Sequence, residues 1–314
     1  MLFRSEKAKA SLPGVNATFG GRLFHWEDSE LALRGEAEIR LQEAAGLFPD
    51  KNAALKGLSG TLRGPFILNG SLRRPMDCEF KMDASGPLIS YGKLRFENFE
   101  AQVRMKNRML NIPYSHAKFY GGTAGSRAMF NLGKPETFFD SRTYLNNVDL
   151  SKLGPEWTPP VPKLAGTLTA QLALRGILQK QETWRGQGAA SVMNGALWET
   201  TQFKAMGELP LVKVEGLDHV TFRGLNALFQ VRDKKVHSDG LALSSDVIDL
   251  TLSGDLDFSG ALNMRMNIQY SDDIYRGAKD TGGLAPLIVQ QAGGSISDYQ
   301  ILGTLKEPRY EKMR

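Results

Sequence analysis

From Ile248 to Tyr270 the chain alternates apolar and polar residues almost without a break, a pattern that fits little besides extended backbone. Ile248, Leu250, Leu252, Leu256 and Phe258 take the even positions, with Asp249, Thr251, Ser253, Asp255 and Asp257 between them. Leu262, Met264, Met266, Ile268 and Tyr270 then alternate with Asn263, Arg265, Asn267 and Gln269. Period-two alternation sends the apolar side chains to one face of a strand and the polar ones to the other. Phe258-Ser259-Gly260 is turn chemistry, so the two runs are expected to pair as an antiparallel hairpin. Each run is about nine residues, roughly 30 Å of strand. The functional question is what covers the apolar side.

The same text recurs along the chain. Leu31, Leu33, Ala37 and Ile39 alternate with Ala32, Arg34, Glu36 and Glu38, and Leu168, Ala170, Leu172 and Leu174 with Thr167, Thr169 and Gln171. Leu225, Ala227, Phe229 and Val231 repeat the pattern. The 33 glycines fall between such runs, which calls for many turns and hence many strands. Gly186–Leu197 reads as a further hairpin. Phe99, Ala101 and Val103 are out of phase with Leu94 and Phe96, which predicts a bulge or turn near Glu97-Asn98. Pro65 removes a ladder donor and predicts an edge, bulge or break. Helical text is scant: Gln42–Leu47, Thr200–Leu211 and Gly282–Gln291. The proline-rich stretch from Pro155 to Pro162 is the best boundary, giving residues 1–154 and 155–314 as domains.

A short phrase repeats. Leu58-Ser59-Gly60-Thr61-Leu62 matches Leu164-Ala165-Gly166-Thr167-Leu168, and Asn69-Gly70-Ser71-Leu72-Arg73-Arg74-Pro75 matches Leu302-Gly303-Thr304-Leu305-Lys306-Glu307-Pro308. Repeated strand–glycine units point to a sheet that grows by accretion. The fold class is therefore mainly β, a long twisted antiparallel sheet of repeating strands with a few short helices.

Motifs of catalysis do not assemble. His25, His116, His219 and His237 lack metal-ligand spacing, and no G-x-S-x-G elbow occurs. Gly121-Gly122-Thr123-Ala124-Gly125 lacks the lysine of a phosphate loop, and Gly186-Gln187-Gly188 has no helix behind it. Neither an enzyme, a metal site nor a cofactor is expected. Cys78 is the single cysteine, so no internal disulfide forms and the redox compartment stays open. A net charge of +5, spread along the chain instead of in blocks, fits a solvated basic surface or weak attraction to anionic lipid or polyanions, and no nucleic-acid partner is expected. No run approaches the ~20 apolar residues of a membrane span, and Met1–Lys7 has no signal-peptide core. The chain as given reads as soluble, with any export signal or anchor lying outside it.

Phe119-Tyr120-Gly121-Gly122-Thr123-Ala124-Gly125, followed by Leu145-Asn146-Asn147-Val148-Asp149-Leu150, resembles the C-terminal region of the AsmA-like family of bacterial envelope proteins. Gly186–Leu197 is similar to that family's glycine-bounded hairpin, and Gly303-Thr304-Leu305-Lys306-Glu307-Pro308 to its closing strand. The likeness covers residues 85–310, and residues 1–84 look like the repeating groove of the superfamily that includes TamB-like and bridge-like lipid-transfer proteins. The resemblance implies a sheet curled into an apolar groove, a periplasmic location, and transport of phospholipid between the inner and outer membranes or outer-membrane assembly. This sequence departs from the family in lacking its N-terminal membrane anchor.

Three short helices would hardly hide the apolar face of a dozen long strands, so lipid tails are one candidate cover. The residues expected to meet phospholipid acyl chains are Leu168, Leu172, Leu174, Leu225, Phe229, Val231, Ile248, Leu250, Leu252, Leu262, Met264, Met266 and Ile268. Met264 and Met266 suit a surface that adapts to varied tails. Two other readings stand beside this one. In one the stripes bury each other in a closed sandwich; in the other the protein is a scaffold that recruits envelope partners by strand addition at its sheet edges.

Overall fold

Alternation of this kind is realised as strand after strand. The computed structural model describes residues 3–24, 30–47, 57–71, 73–156, 164–198, 219–245, 248–270, 296–305 and 307–313. The helices expected at Thr200–Leu211 and Gly282–Gln291 lie outside the described residues, as does most of the proline-rich link. The strands are β1 (Phe3–Leu12), β2 (Val15–Phe24), β3 (Glu30–Arg40), β4 (Leu58–Ser71), β5 (Glu79–Tyr91) and β6 (Leu94–Lys106). They continue with β7 (Met109–Phe119), β8 (Gly122–Asn131), β9 (Phe138–Asp149), β10 (Leu164–Ile177), β11 (Lys180–Trp198) and β12 (His219–Arg232). The last are β13 (Lys235–Ser245), β14 (Ile248–Asp257), β15 (Ala261–Tyr270), β16 (Ile296–Thr304) and β17 (Pro308–Lys312). All 17 belong to one open antiparallel sheet. Two helices of one turn, α1 (Leu41–Ala44) and α2 (Leu150–Leu153), are the α-helical segments among the described residues.

The chain divides into two compact units: Met1–Leu145 with Arg175–Lys180, and Asn146–Leu174 with Gln181–Arg314. Within the first, strands β1 to β8 pair each with the next in sequence. Directly opposed residues share a face, so register assembles transverse rows. Phe19 stands opposite Gly35, Gly35 opposite Phe66, Phe66 opposite Met82, and Met82 opposite Val103. This row forms the centre of a core in which Phe66, Met82 and Ala84 are buried, with Leu33, Ile39, Leu62, Leu68 and Phe80 packed around them. Glu36, Glu38, Arg63 and Lys81 alternate with these and take the other face, where Arg63 pairs with Glu38 at 2.8 Å.

Irregularities fall where side-chain phase has to change. Register between β6 and β7 shifts between Glu97 and Glu100, and Asn98 takes φ +49°, the bulge anticipated from the sequence. Pro65 departs from expectation: it lies inside β4, opposite Glu36 in an unbroken register, and the shift against β5 comes earlier, between Gly60 and Arg63. Gly186–Leu197 departs too. It is no hairpin but part of β11, a single strand of 19 residues. The repeated phrase has a structural counterpart. β4 and β10 are both 14 residues long, and the third residue of each is a left-handed glycine, Gly60 at φ +120° and Gly166 at φ +125°.

Tight turns join the strands. Asn107-Arg108, Tyr120-Gly121 and Asp233-Lys234 each put two successive residues at positive φ, the backbone of a type I′ turn that matches strand twist. In the second unit, Asp149 caps α2 by accepting from the Ser151 amide at 3.0 Å, while Leu150 and Leu153 are buried beneath.

Candidate functional site

In the second unit the registers of β11 to β17 bring the expected residues onto one face. Val192 opposes Leu225, Leu225 opposes Leu243, Leu243 opposes Leu250, and Leu250 opposes Ile268. A second row runs Ala227, Leu241, Leu252, Met266, Tyr299. A third joins Gly254, Met264, Ile301 and Tyr310, and a fourth Val231, Val236, Leu256, Leu262 and Gly303. Phe229 opposes Gly188 across β11 and β12. Leu168, Leu172 and Leu174 occupy even positions of β10, where Leu174 lies against Gly186. Ile248 opposes Tyr270, but its side chain is outside the described set.

Burial divides this face. Leu250 and Leu243 are 4% and 3% exposed, Met266 and Ile268 1% each, and Tyr299 2%. Their neighbours Leu225, Phe229, Leu252, Leu262 and Met264 are half-buried, as are Leu168, Leu172 and Leu174. So Leu250, Met266 and Ile268, and with them Val231 at 7%, are packed interior residues, and the half-buried set is what stays accessible. Burying a leucine or methionine side chain contributes about 1.5–3 kcal/mol, so the covered rows anchor the unit. At Tyr310, in the third row, burial pushes the phenol above the ordinary tyrosine value.

Glycines make room for aromatic rings here. A Cβ on Gly188 would collide with the Phe229 ring, and one on Gly195 with the Phe222 ring. Each ring lies across the neighbouring strand and fills the space a side chain would take. Phe222 is 4% exposed as a result. Sequence reasoning omitted Leu241, Leu243, Tyr299 and Ile301 from the face. For Leu241 and Leu243 the alternation was visible, but β13 changes phase midway, which only register reveals; Tyr299 and Ile301 on β16 join the face through their pairing with Met266 and Met264.

The opposite face is polar. Asp249 accepts from Ser244 at 2.6 Å, and Asn267 donates to Asp298 at 2.9 Å. Asp255 accepts from His237 at 2.7 Å and lies 3.6 Å from Lys235. These contacts hold the Asp255 carboxyl below the usual range, His237 first among them. In the first unit a cleft of about 530 Å³ is lined by Lys9, Asn16, Thr18, Glu36, Glu38 and Arg63 together with Ala10, Ala17 and Ala37. Among the described residues no cluster of histidine, cysteine and carboxylate side chains is suited to a metal ion. No described helix is long and apolar enough to cross a membrane. No protein-family model, curated protein or solved structure matches the chain.

Proposed function

We propose that this chain is a non-enzymatic lipid-binding module of the bacterial cell envelope that shields phospholipid acyl chains on the apolar face of its second unit. The reading places it in the periplasm, as the soluble part of an anchored protein, moving phospholipid between the two membranes or serving outer-membrane assembly. One observation carries the proposal: half-buried Phe229, Leu252, Leu262 and Met264 continue the same face as fully buried Leu250, Met266 and Ile268. An apolar surface that is anchored at one part and accessible at another is what a bound tail needs. Each buried methylene adds about 0.8 kcal/mol, so a tail of ordinary length gains on the order of 10 kcal/mol before association costs. Strands of 10 residues, about 33 Å, give room for tails that span half a membrane. The resemblance to AsmA-like proteins supports the same reading.

Extraction of the purified chain followed by mass spectrometry tests it. Near-stoichiometric phospholipid is expected, and Met264→Asp is expected to abolish retention while circular dichroism stays unchanged. Protein free of lipid after incubation with phospholipid vesicles would overturn the proposal. If that clean protein instead associates with envelope proteins by strand addition at its sheet edges, the scaffold reading replaces it.

A further inference from the structure

Both ring nitrogens of His237 face carboxylates. Nδ1 is 2.7 Å from Asp255 Oδ1 on β14, and Nε2 is 3.0 Å from Asp239 Oδ1, two residues along β13. An ionised carboxylate only accepts hydrogen bonds, and a neutral imidazole has one N–H to donate. The arrangement is satisfied in full by the imidazolium alone, which donates at both positions. Asp255 uses its other oxygen on Lys235, 3.6 Å away. On β12, uncharged Gln230 stands opposite His237, while Arg232 and, on β14, Asp257 stand opposite Lys235.

The position of this triad matters more than its strength. Between Ser238 and Leu241 the register of β13 shifts against β14, and between His237 and Gly240 it shifts against β12. Asp239-Gly240 is therefore a bulge. Upstream of it Val236 opposes Leu256 on the apolar face; downstream Leu241 and Leu243 oppose Leu252 and Leu250 on that same face. Without the extra residue, strict alternation would send Leu241 and Leu243 to the polar side.

We propose that His237, protonated at both nitrogens between Asp239 and Asp255, is a protonation-dependent clamp on this bulge, holding the two halves of β13 in the phase that buries Leu243. The hydrogen bond to Asp255, then that to Asp239, raises His237 above its ordinary value of 6.5. A raised histidine contributes stability that is fully present below its unfolded value and lost as pH rises through its folded value. The clamp is closed in mildly acidic solution and opens on that upward passage. The Asp239 arm releases first, being 85% exposed against 31% for Asp255 and so more screened by water.

Imidazole ¹⁵N titration of the full chain tests this. His237 is expected to titrate above 6.5, to fall toward it in Asp255→Asn, and to fall by less in Asp239→Asn. Amide exchange at Leu241 and Leu243, corrected for intrinsic rate, is expected to quicken severalfold as pH rises through the His237 transition. In His237→Gln that pH dependence should vanish. Titration of His237 at or below 6.5, or an exchange profile unchanged in His237→Gln, would overturn the clamp. Should His237→Gln fail to fold, the same exchange comparison in Asp239→Asn decides, since only one arm is lost there.

Discussion

Leu252 and Met266 stand directly opposite one another across β14 and β15, yet Met266 is 1% exposed and Leu252 is only half-buried. Two residues of one row thus carry different work, one structural and one accessible. Met266→Asp should unfold the unit, because a carboxylate cannot be buried there without a partner. Leu252→Asp should fold and lose bound lipid. Urea titration beside lipid extraction separates the two; equal stability in both variants would contradict the division.

Phe222 and Gly195 supply a packing test. Gly195→Ala forces a methyl into the Phe222 ring and should cost about 1–3 kcal/mol, whereas Phe222→Ala should cost about 3–5 kcal/mol. Combining them relieves the collision, so the double variant should be less destabilised than the two costs added. Denaturant midpoints of the three variants check this.

The matched glycines of β4 and β10 should respond alike. Gly60 and Gly166 hold φ of +120° and +125°, and a Cβ at either meets close neighbours. Alanine at each position should cost roughly 1–3 kcal/mol, from strain and crowding together. A thermal shift for one variant and none for the other would show that the repeated phrase has no shared role.

Asp149 couples the cap of α2 to pH. Hydrogen bonds from Ser151, chiefly that of its hydroxyl at 2.6 Å, hold the carboxyl below its ordinary range, and Lys152 adds to this at 3.5 Å. A lowered carboxylate contributes stability that is present above its unfolded value and lost as pH falls through its folded value. Asp149→Ala should cost about 0.5–2 kcal/mol at neutral pH, while Asp149→Asn keeps the cap and removes its share of the acid dependence. Urea midpoints at neutral and acid pH report both effects.

Cys78 should be inert in the folded chain. It is 2% exposed, its Sγ donates to the Ser71 carbonyl at 3.3 Å, and burial, then Asp77, pushes the thiol pKa up. Since the thiolate is the reactive form, a disulfide reagent should modify it slowly in buffer and rapidly in denaturant. Rapid labelling of the native chain would contradict its place beneath β4.

The pairing of β14 with β15 was legible from Ile248 to Tyr270, because alternation is a local property and Phe258-Ser259-Gly260 admits one simple turn. The phase change at Asn98 was legible for the same reason. Pro65 and the glycines of β11 misled, since a proline or glycine marks a turn or an interior accommodation with equal ease. Gly188 and Gly195 sit inside a long strand to admit the rings of Phe229 and Phe222, residues more than twenty positions away.

By itself, then, the amino-acid order determined that this protein is a meander of amphipathic strands and which residues share a side over each short run. Tertiary structure alone decided that a bulge in β13 brings Val236 and Leu241 to one face, and that Met266 is enclosed while Leu252 is not. The reason is physical: side-chain alternation follows from the backbone of each strand, whereas register and coverage depend on segments that meet only when the chain has folded.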